Sequence, residues 1–276
     1  MSDVTVACCQ LGPRIGEPER NRTLAREAIE RAARDGAQVI VLPELADSGY
    51  VFADADEARS LAEPDDGATL SAWAELARAL GVVVVGGFCE LDPSGVVRNS
   101  AALVDGDGVR AIYRKAHLWD REGLVFTPGS DPPPVVDTAF GRIGVMVCYD
   151  LEFPEWVRLA ALEGADIVCA PVNWPAVPRP DGERPGEVVR VQAAAATNRM
   201  FIAACDRVGA ERGVDWIGGS VIVDVDGFPL AGPARAGESE NLLARCALDE
   251  ARDKRVNERN DVLADRRPEL YGGLVG

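Results

Sequence analysis

Histidine is almost missing from this chain: His117 stands alone among 276 residues. Metal sites built from several imidazoles are therefore excluded, and any Ser-His-Asp or Cys-His mechanism would have to use this one ring. No run of about 18 apolar residues exists, the length a membrane-spanning helix needs. The opening segment, Met1-Ser2-Asp3-Val4-Thr5-Val6-Ala7-Cys8-Cys9, has no basic stretch ahead of its apolar residues. That is the pattern of a first strand rather than of a secretory signal, and the expectation is a soluble, cytoplasmic protein. Cations are scarce: 29 Lys and Arg face 45 Asp and Glu, a formal net charge of -16. Such a surface repels phosphate backbones and anionic lipid, so nucleic acid and membrane are set aside as partners. The seven cysteines are odd in number and irregularly spaced, with no C-x-x-C pair, so zinc and dithiol redox readings find little support. Most lie in apolar runs, where cysteine behaves as a small buried hydrophobe. One nucleophile among inert thiols is a reasonable expectation.

Linkers are also lacking. No stretch rich in Ser, Gly or Pro divides the chain, and Asp131-Pro132-Pro133-Pro134 is too short for a domain boundary. A single domain over residues 1–276 is expected, and 47% hydrophobic residues suffice for a sizeable core. Helical spacing runs from Asn21 to Gly36, with Leu24, Ala28, Ile29 and Ala32 on one face, and again over Leu70 to Leu80. Val39 to Leu42 and Val82 to Val85 are short, continuous apolar runs, as buried strands are; the second is followed by Gly86-Gly87. Strands are expected near 98–104 and 109–114. The second half repeats the alternation, with strands at Ile143–Val147, Asp166–Ala170 and Met200–Cys205 and helices at Pro154–Glu163 and Glu187–Arg199. Strands near 217–224 and 241–247 complete an α/β chain.

Three segments carry residues suited to chemistry. Glu44 directly follows the strand ending at Leu42, in Leu42-Pro43-Glu44. The carboxyl end of a buried strand is where open α/β sheets hold ligands, and burial there would tune a carboxyl for proton transfer near neutrality. Taken alone, it could equally be a solvated loop carboxylate. Lys115 follows another strand, in Tyr113-Arg114-Lys115-Ala116-His117-Leu118. Alternation puts Lys115 and His117 on one face and Arg114 on the other, although an ordinary basic stretch would read the same way. Cys148 lies where the strand Arg142–Val147 turns towards a helix beginning at Pro154, a favoured first helical position. A thiol at such a corner faces a cleft whose backbone N–H groups can meet an oxyanion. The alternative is one more buried structural thiol.

In order and setting these segments resemble the nitrilase superfamily of carbon–nitrogen hydrolases, with its Glu-Lys-Cys triad. Glu44, Lys115 and Cys148 match the triad, the last within Cys148-Tyr149-Asp150-Leu151-Glu152-Phe153-Pro154-Glu155. The likeness runs from Val4 to the tail around Asn260–Tyr271. It implies a four-layer α-β-β-α sandwich and a homodimer whose two sandwiches join into an extended stack, with the tail from about residue 250 in dimer contacts. It also implies that Glu122, in Asp120-Arg121-Glu122-Gly123, matches a second glutamate that helps position substrate, and that His117 is structural. The implied chemistry is attack by Cys148 on a small amide, with Glu44 moving protons and Lys115 and the Tyr149 N–H stabilising the oxyanion. It needs no metal or organic cofactor. Lys115 is expected to lower the thiol pKa from its free value of about 8.5. The Cys-Tyr-Asp sequence resembles the amidase and carbamoylase branches, with nitrile as the alternative substrate. Asn173, Trp174 and the loop to Gly186 are expected to border the pocket, where Arg179 and Arg184 could hold a substrate carboxylate or simply be solvated. Two readings of other classes remain open, a Cys-His hydrolase using His117 and a catalytically silent scaffold.

Overall fold

The computed structural model describes residues 3–235 and 237–274. In chain order the strands are β1 (Val4–Gln10), β2 (Val39–Val41), β3 (Val83–Leu91), β4 (Val97–Asp105), β5 (Gly108–Arg114), β6 (Val135–Thr138) and β7 (Gly141–Val145). Then follow β8 (Ile167–Pro171), β9 (Phe201–Cys205), β10 (Ala210–Glu211), β11 (Val214–Asp215), β12 (Val221–Val223), β13 (Pro229–Ala231) and β14 (Glu240–Cys246). The helices are α1 (Pro18–Arg34), α2 (Ala55–Leu61), α3 (Ala68–Leu80), α4 (Pro154–Leu162) and α5 (Gly186–Asn198).

The strands form two six-stranded sheets, ordered β14-β1-β2-β3-β4-β5 and β13-β12-β9-β8-β7-β6, and a small hairpin, β10-β11. Each large sheet has a parallel centre, β1-β2-β3 in one and β7-β8-β9 in the other. One face of the first sheet packs on α1 and α3 through Ala25, Ala28, Ile29, Leu70, Trp73 and Ala77. Its other face meets the second sheet, so that Val6, Val41, Val85 and Leu103 share one core with Ile143, Val168, Ile202 and Ile222. Helices α4 and α5 close the far side through Val157, Ala160, Val188 and Val191. The result is the four-layer α-β-β-α sandwich. Each fully buried Val, Leu or Ile contributes roughly 1.5–3 kcal/mol to holding these layers together. All seven cysteines are free thiols and buried. Among the described residues no helix is long and apolar enough to cross a membrane.

The boundaries depart from the sequence reading in instructive ways. Helix α1 begins three residues before Asn21, because Pro18 fits the first helical turn. It ends at Arg34, and Gly36 takes the left-handed conformation, φ 93°, just beyond. Strand β3 does not stop at its glycines but runs through them to Leu91, with Gly87 opposite Ala101. A side chain at Gly87 would put a Cβ 2.5 Å from the Glu44 Cα, and one at Gly86 would strike the Trp73 ring. These glycines permit close packing rather than a turn. Helix α2, edge strand β6 and the β10-β11 hairpin carry no periodic signal strong enough to announce them. The expected strand at 217–224 shortens to Val221–Val223.

Candidate active site

The two parallel centres end at the same place. Glu44 follows β2, Cys148 follows β7 and Asn173 follows β8, while Lys115 follows β5 at the edge of the first sheet. The Glu44 backbone is clamped from both sheets. Gly87 donates to the Pro43 carbonyl at 3.1 Å and accepts from Ala46 at 2.9 Å, and the Asn173 amide donates to the Glu44 carbonyl at 2.9 Å. Leu45, next in the chain, is forced to φ 49°.

Side chains from four segments then meet in a closed cluster. Lys115 Nζ donates to Glu44 Oε1 and Glu122 Oε1, both at 2.8 Å. Asn99 Nδ2 donates to the same two oxygens, at 2.7 and 3.2 Å. The Tyr50 hydroxyl donates to Glu122 Oε1 at 2.7 Å and the Trp119 N–H to Glu122 Oε2 at 2.8 Å. Glu44, Lys115, Asn99 and Glu122 are all buried. Glu44 Oε2 is left with no hydrogen-bond partner among the described residues.

One ammonium is thus shared by two carboxylates in a water-poor pocket. Burial, reinforced by Glu122, raises the Glu44 pKa to about 7, while Lys115 and Asn99 pull against that rise. Burial also works against the Lys115 charge, but the two carboxylates outweigh it and hold the ammonium well above its usual range. Lys115 therefore stays cationic while Glu44 is poised between its two forms.

Cys148 heads a short 3-10 turn, Cys148–Glu152, with φ 46°, a conformation uncommon outside glycine. Its Sγ lies 3.8 Å from the Asn173 carbonyl. Burial pushes the thiol well above its ordinary pKa and Glu44 adds to this, while Lys115 opposes both without prevailing. The sequence-based expectation of a thiol lowered by Lys115 is corrected here: at rest the sulfur keeps its proton, because desolvation outweighs the nearby cation. The turn is braced by buried Asp150, which accepts from the Val147 N–H at 3.2 Å, the Tyr113 hydroxyl at 2.8 Å and the His117 N–H at 3.0 Å. His117 Nδ1 also lies 2.7 Å from Asp150, and its ring stacks on Phe153. His117 is thus engaged with Asp150, whereas the charged groups acting on the Cys148 sulfur are Glu44, Lys115 and Glu122.

The remaining candidates divide. Tyr149 is half-buried, with its ring edge-on to Trp119 and Phe153. Its N–H lies in the first turn of the 3-10 segment, where amides lack an intrahelical acceptor. Asn173 and Trp174 are buried, and the Trp174 N–H is held by Asp206 at 3.0 Å. Arg179 and Arg184 lie apart from the cluster. Both are exposed and neither lines the cavity beside Glu122. Arg179 donates to the Glu183 carbonyl and Arg184 to the Gln192 side chain, so their guanidinium groups hold the loop and tie it to α5. Asn99 and Tyr50 escaped the sequence reading. Asn99 had one available signal, an amide inside a β strand, where asparagine is depleted.

A cavity of about 250 Å³ opens beside this cluster, with Glu122 and Tyr50 in its wall and Trp119, Phe126, Pro175 and Trp216 around it. Below Tyr50 and Trp216 lies a second buried ion pair. Glu211 accepts from the Ile15 N–H at 2.9 Å, from the Tyr50 and Val51 N–H groups at 2.8 Å each, and from Arg207 at 3.2 Å. The Arg207 guanidinium also lies 4.8 Å from the centre of the Trp216 ring.

A buried Glu-Lys-Cys group between two parallel sheet centres is the arrangement of a thiol hydrolase. The carbon-nitrogen hydrolase family model matches residues 5–255. A relative described as a nitrilase, from Pyrococcus abyssi, is 38% identical over 97% of this chain and 99% of its own length. The crystal structure of an amidase from Nesterenkonia sp. has a TM-score of 0.80 at 30% identity, covering 99% of this chain and 97% of that one. A variant of the amidase from Nesterenkonia sp. AN1 carries the acetamide moiety of fluoroacetamide covalently on its active-site cysteine. It is 29% identical, with a TM-score of 0.80 and coverage of 99% of this chain and 97% of that one. This chain belongs to the carbon-nitrogen hydrolase family, and the α-β-β-α sandwich is the fold it shares with the amidases of the nitrilase superfamily.

Proposed function

We propose that this chain hydrolyses a small amide to its carboxylic acid and ammonia through a thioester on Cys148. Glu44 moves the protons, Lys115 holds the oxyanion and Glu122 positions Lys115. The observation that carries the reading is a protonated thiol grouped with a carboxylate that has one uncommitted oxygen and a pKa of about 7. A group that must serve first as base and then as acid works best near the operating pH.

Glu44 takes the thiol proton as sulfur attacks the carbonyl carbon. The negative oxygen of the tetrahedral intermediate is met by Lys115 Nζ and the Tyr149 N–H. Glu44 protonates the departing nitrogen, ammonia leaves, and the acyl group remains on sulfur. Glu44 then deprotonates a water that attacks the thioester, and collapse releases the acid and restores the thiol. Across the cycle one water is consumed, and one acid and one ammonia are formed. The nitrilase relative from Pyrococcus abyssi favours a second reading, in which a nitrile enters the same thiol chemistry.

The chain acts as a single domain and as a cytoplasmic homodimer in this reading. The tail supports the dimer: Val256, Leu270, Tyr271 and Leu274 are exposed there, apolar surface suited to a partner copy. Sedimentation analysis at micromolar concentration checks it, a monomer being the contrary result. For the activity, purified protein is given acetamide, propionamide, isobutyramide and the matching nitriles, and ammonia is measured. Rapid acid quenching should find the acyl mass on the peptide containing Cys148. Folded protein that releases ammonia from none of these compounds, or that stays active as Cys148→Ala, would overturn the reading.

A further inference from the structure

Of the twelve described residues that line the cavity beside Glu122, nine are aromatic or apolar, and the charged three are Asp120, Arg121 and Glu122. Glu122 is committed to Lys115, Asn99, Tyr50 and the Trp119 N–H. Asp120 and Arg121 are exposed and adjacent in sequence. The walls come from separate parts of the chain: Tyr50 and Phe52 from the loop after β2, Trp119 and Phe126 from the segment after β5, and Val214 and Trp216 from β11 and beyond. Tyr50 stands edge-on to Trp216 and Phe52 to Phe126, with ring centres 5.1 and 5.5 Å apart. The Arg207–Glu211 pair anchors the Tyr50 backbone from below and covers the Trp216 ring.

From this geometry we infer that the cavity holds the organic group of the substrate, and that it selects neutral amides with a branched aliphatic or aryl group over amides ending in a carboxylate. The inference rests on the amide-hydrolase reading of Cys148. Size permits it: roughly 150 Å³ of apolar cavity accommodates a benzene ring, and about 250 Å³ is available. Charge supports it as well. A carboxylate desolvated among Tyr50, Phe52, Phe126 and Trp216 would need a partner. The wall offers Arg121 alone, at the solvent side and beside Asp120. The guanidinium groups of Arg179 and Arg184 are engaged elsewhere, with the Glu183 carbonyl and with Gln192 of α5.

The test uses the wild-type chain and measures kcat/KM by ammonia release. The amides are acetamide, propionamide, 4-methylpentanamide, 3-phenylpropanamide and succinamate, the last having a carboxylate where 4-methylpentanamide has an isopropyl group. Each methylene buried should raise kcat/KM roughly fourfold, and succinamate should lie at least about 100-fold below 4-methylpentanamide. In Trp216→Ala the ratio of 4-methylpentanamide to acetamide should fall at least about tenfold. Ratios read within one variant are insensitive to how much of the protein is folded. Succinamate equal to or better than 4-methylpentanamide would overturn the inference, and loss of that preference in Arg121→Ala would identify the cation responsible. A flat series from acetamide to 3-phenylpropanamide would also overturn it. Both results leave the amidase reading standing, whereas turnover of no amide at all would strike that reading instead.

Discussion

Two buried ion clusters lie on either side of Tyr50, and they are built differently. Around Glu211 both carboxylate oxygens are occupied by backbone N–H groups and by Arg207. Around Glu44 two carboxylates share one ammonium, and Glu44 Oε2 has no partner. In the first, one cation meets one anion and both Glu211 oxygens are engaged, with only Arg207 Nε of the pair left unpartnered among the described residues. The second leaves an excess of negative charge and an unpartnered oxygen, and burial, reinforced by the Glu122 charge, raises the Glu44 pKa to about 7. A buried carboxylate with both oxygens engaged ties loops together. An unsatisfied one stores reactivity at a cost in stability.

The largest test of this contrast is Cys148→Ala. Turnover should fall at least roughly 1,000-fold, since the covalent route is lost, while circular dichroism and the unfolding midpoint stay close to wild type. Retained turnover would mean that the unsatisfied cluster serves a different residue. Next comes Glu44→Gln, expected to lower kcat by roughly 100- to 10,000-fold with an unfolding midpoint unchanged or raised. The pH profile sharpens it. Because the ionised carboxylate is the base, wild-type kcat/KM should fall as pH drops below about 7, and that acid limb should vanish in Glu44→Gln. A limb that persists unchanged belongs to another group.

Arg207→Ala should show the converse. Removing one partner of a buried, hydrogen-bonded pair costs about 3–5 kcal/mol of stability, read from chemical denaturation. Turnover measured well below the midpoint should drop less than tenfold. If Arg207→Ala abolishes kcat and leaves stability intact, the two clusters are not divided as described. The smallest effect is expected from Arg179→Ala and Arg184→Ala, within about twofold in kcat/KM for neutral amides and for succinamate alike. A selective loss for succinamate would return these arginines to the pocket.

Where local rules decide the structure, the sequence could be read directly. Gly36 marks the end of α1, apolar runs become the parallel centres, and the Glu44, Lys115 and Cys148 segments all end strands that converge. Where three-dimensional approach decides, it could not. Gly86-Gly87 resembles a strand end until Glu44 and Trp73 are seen pressing against it. Asn99 and Tyr50 acquire meaning only beside Glu122, 23 and 72 residues away in the chain. The loop carrying Arg179 and Arg184 does leave the correct strand end, but sequence order carries no information on where a long side chain points. The thiol pKa failed for a related reason. A nearby lysine is visible in the motif, whereas the degree of desolvation that overrides it belongs to the fold.

The burial of all seven thiols has a practical consequence for handling this molecule. Air oxidation and bulky electrophiles need an accessible thiolate, so the folded chain should be a quiet substrate for maleimides even without reductant. A haloacetamide is different, because it resembles the amide and can be carried to Cys148 by the site's own recognition. Labelling then becomes a gauge with two settings. One thiol modified by the amide-like reagent counts competent sites, and seven modified by the bulky one counts chains that have come open.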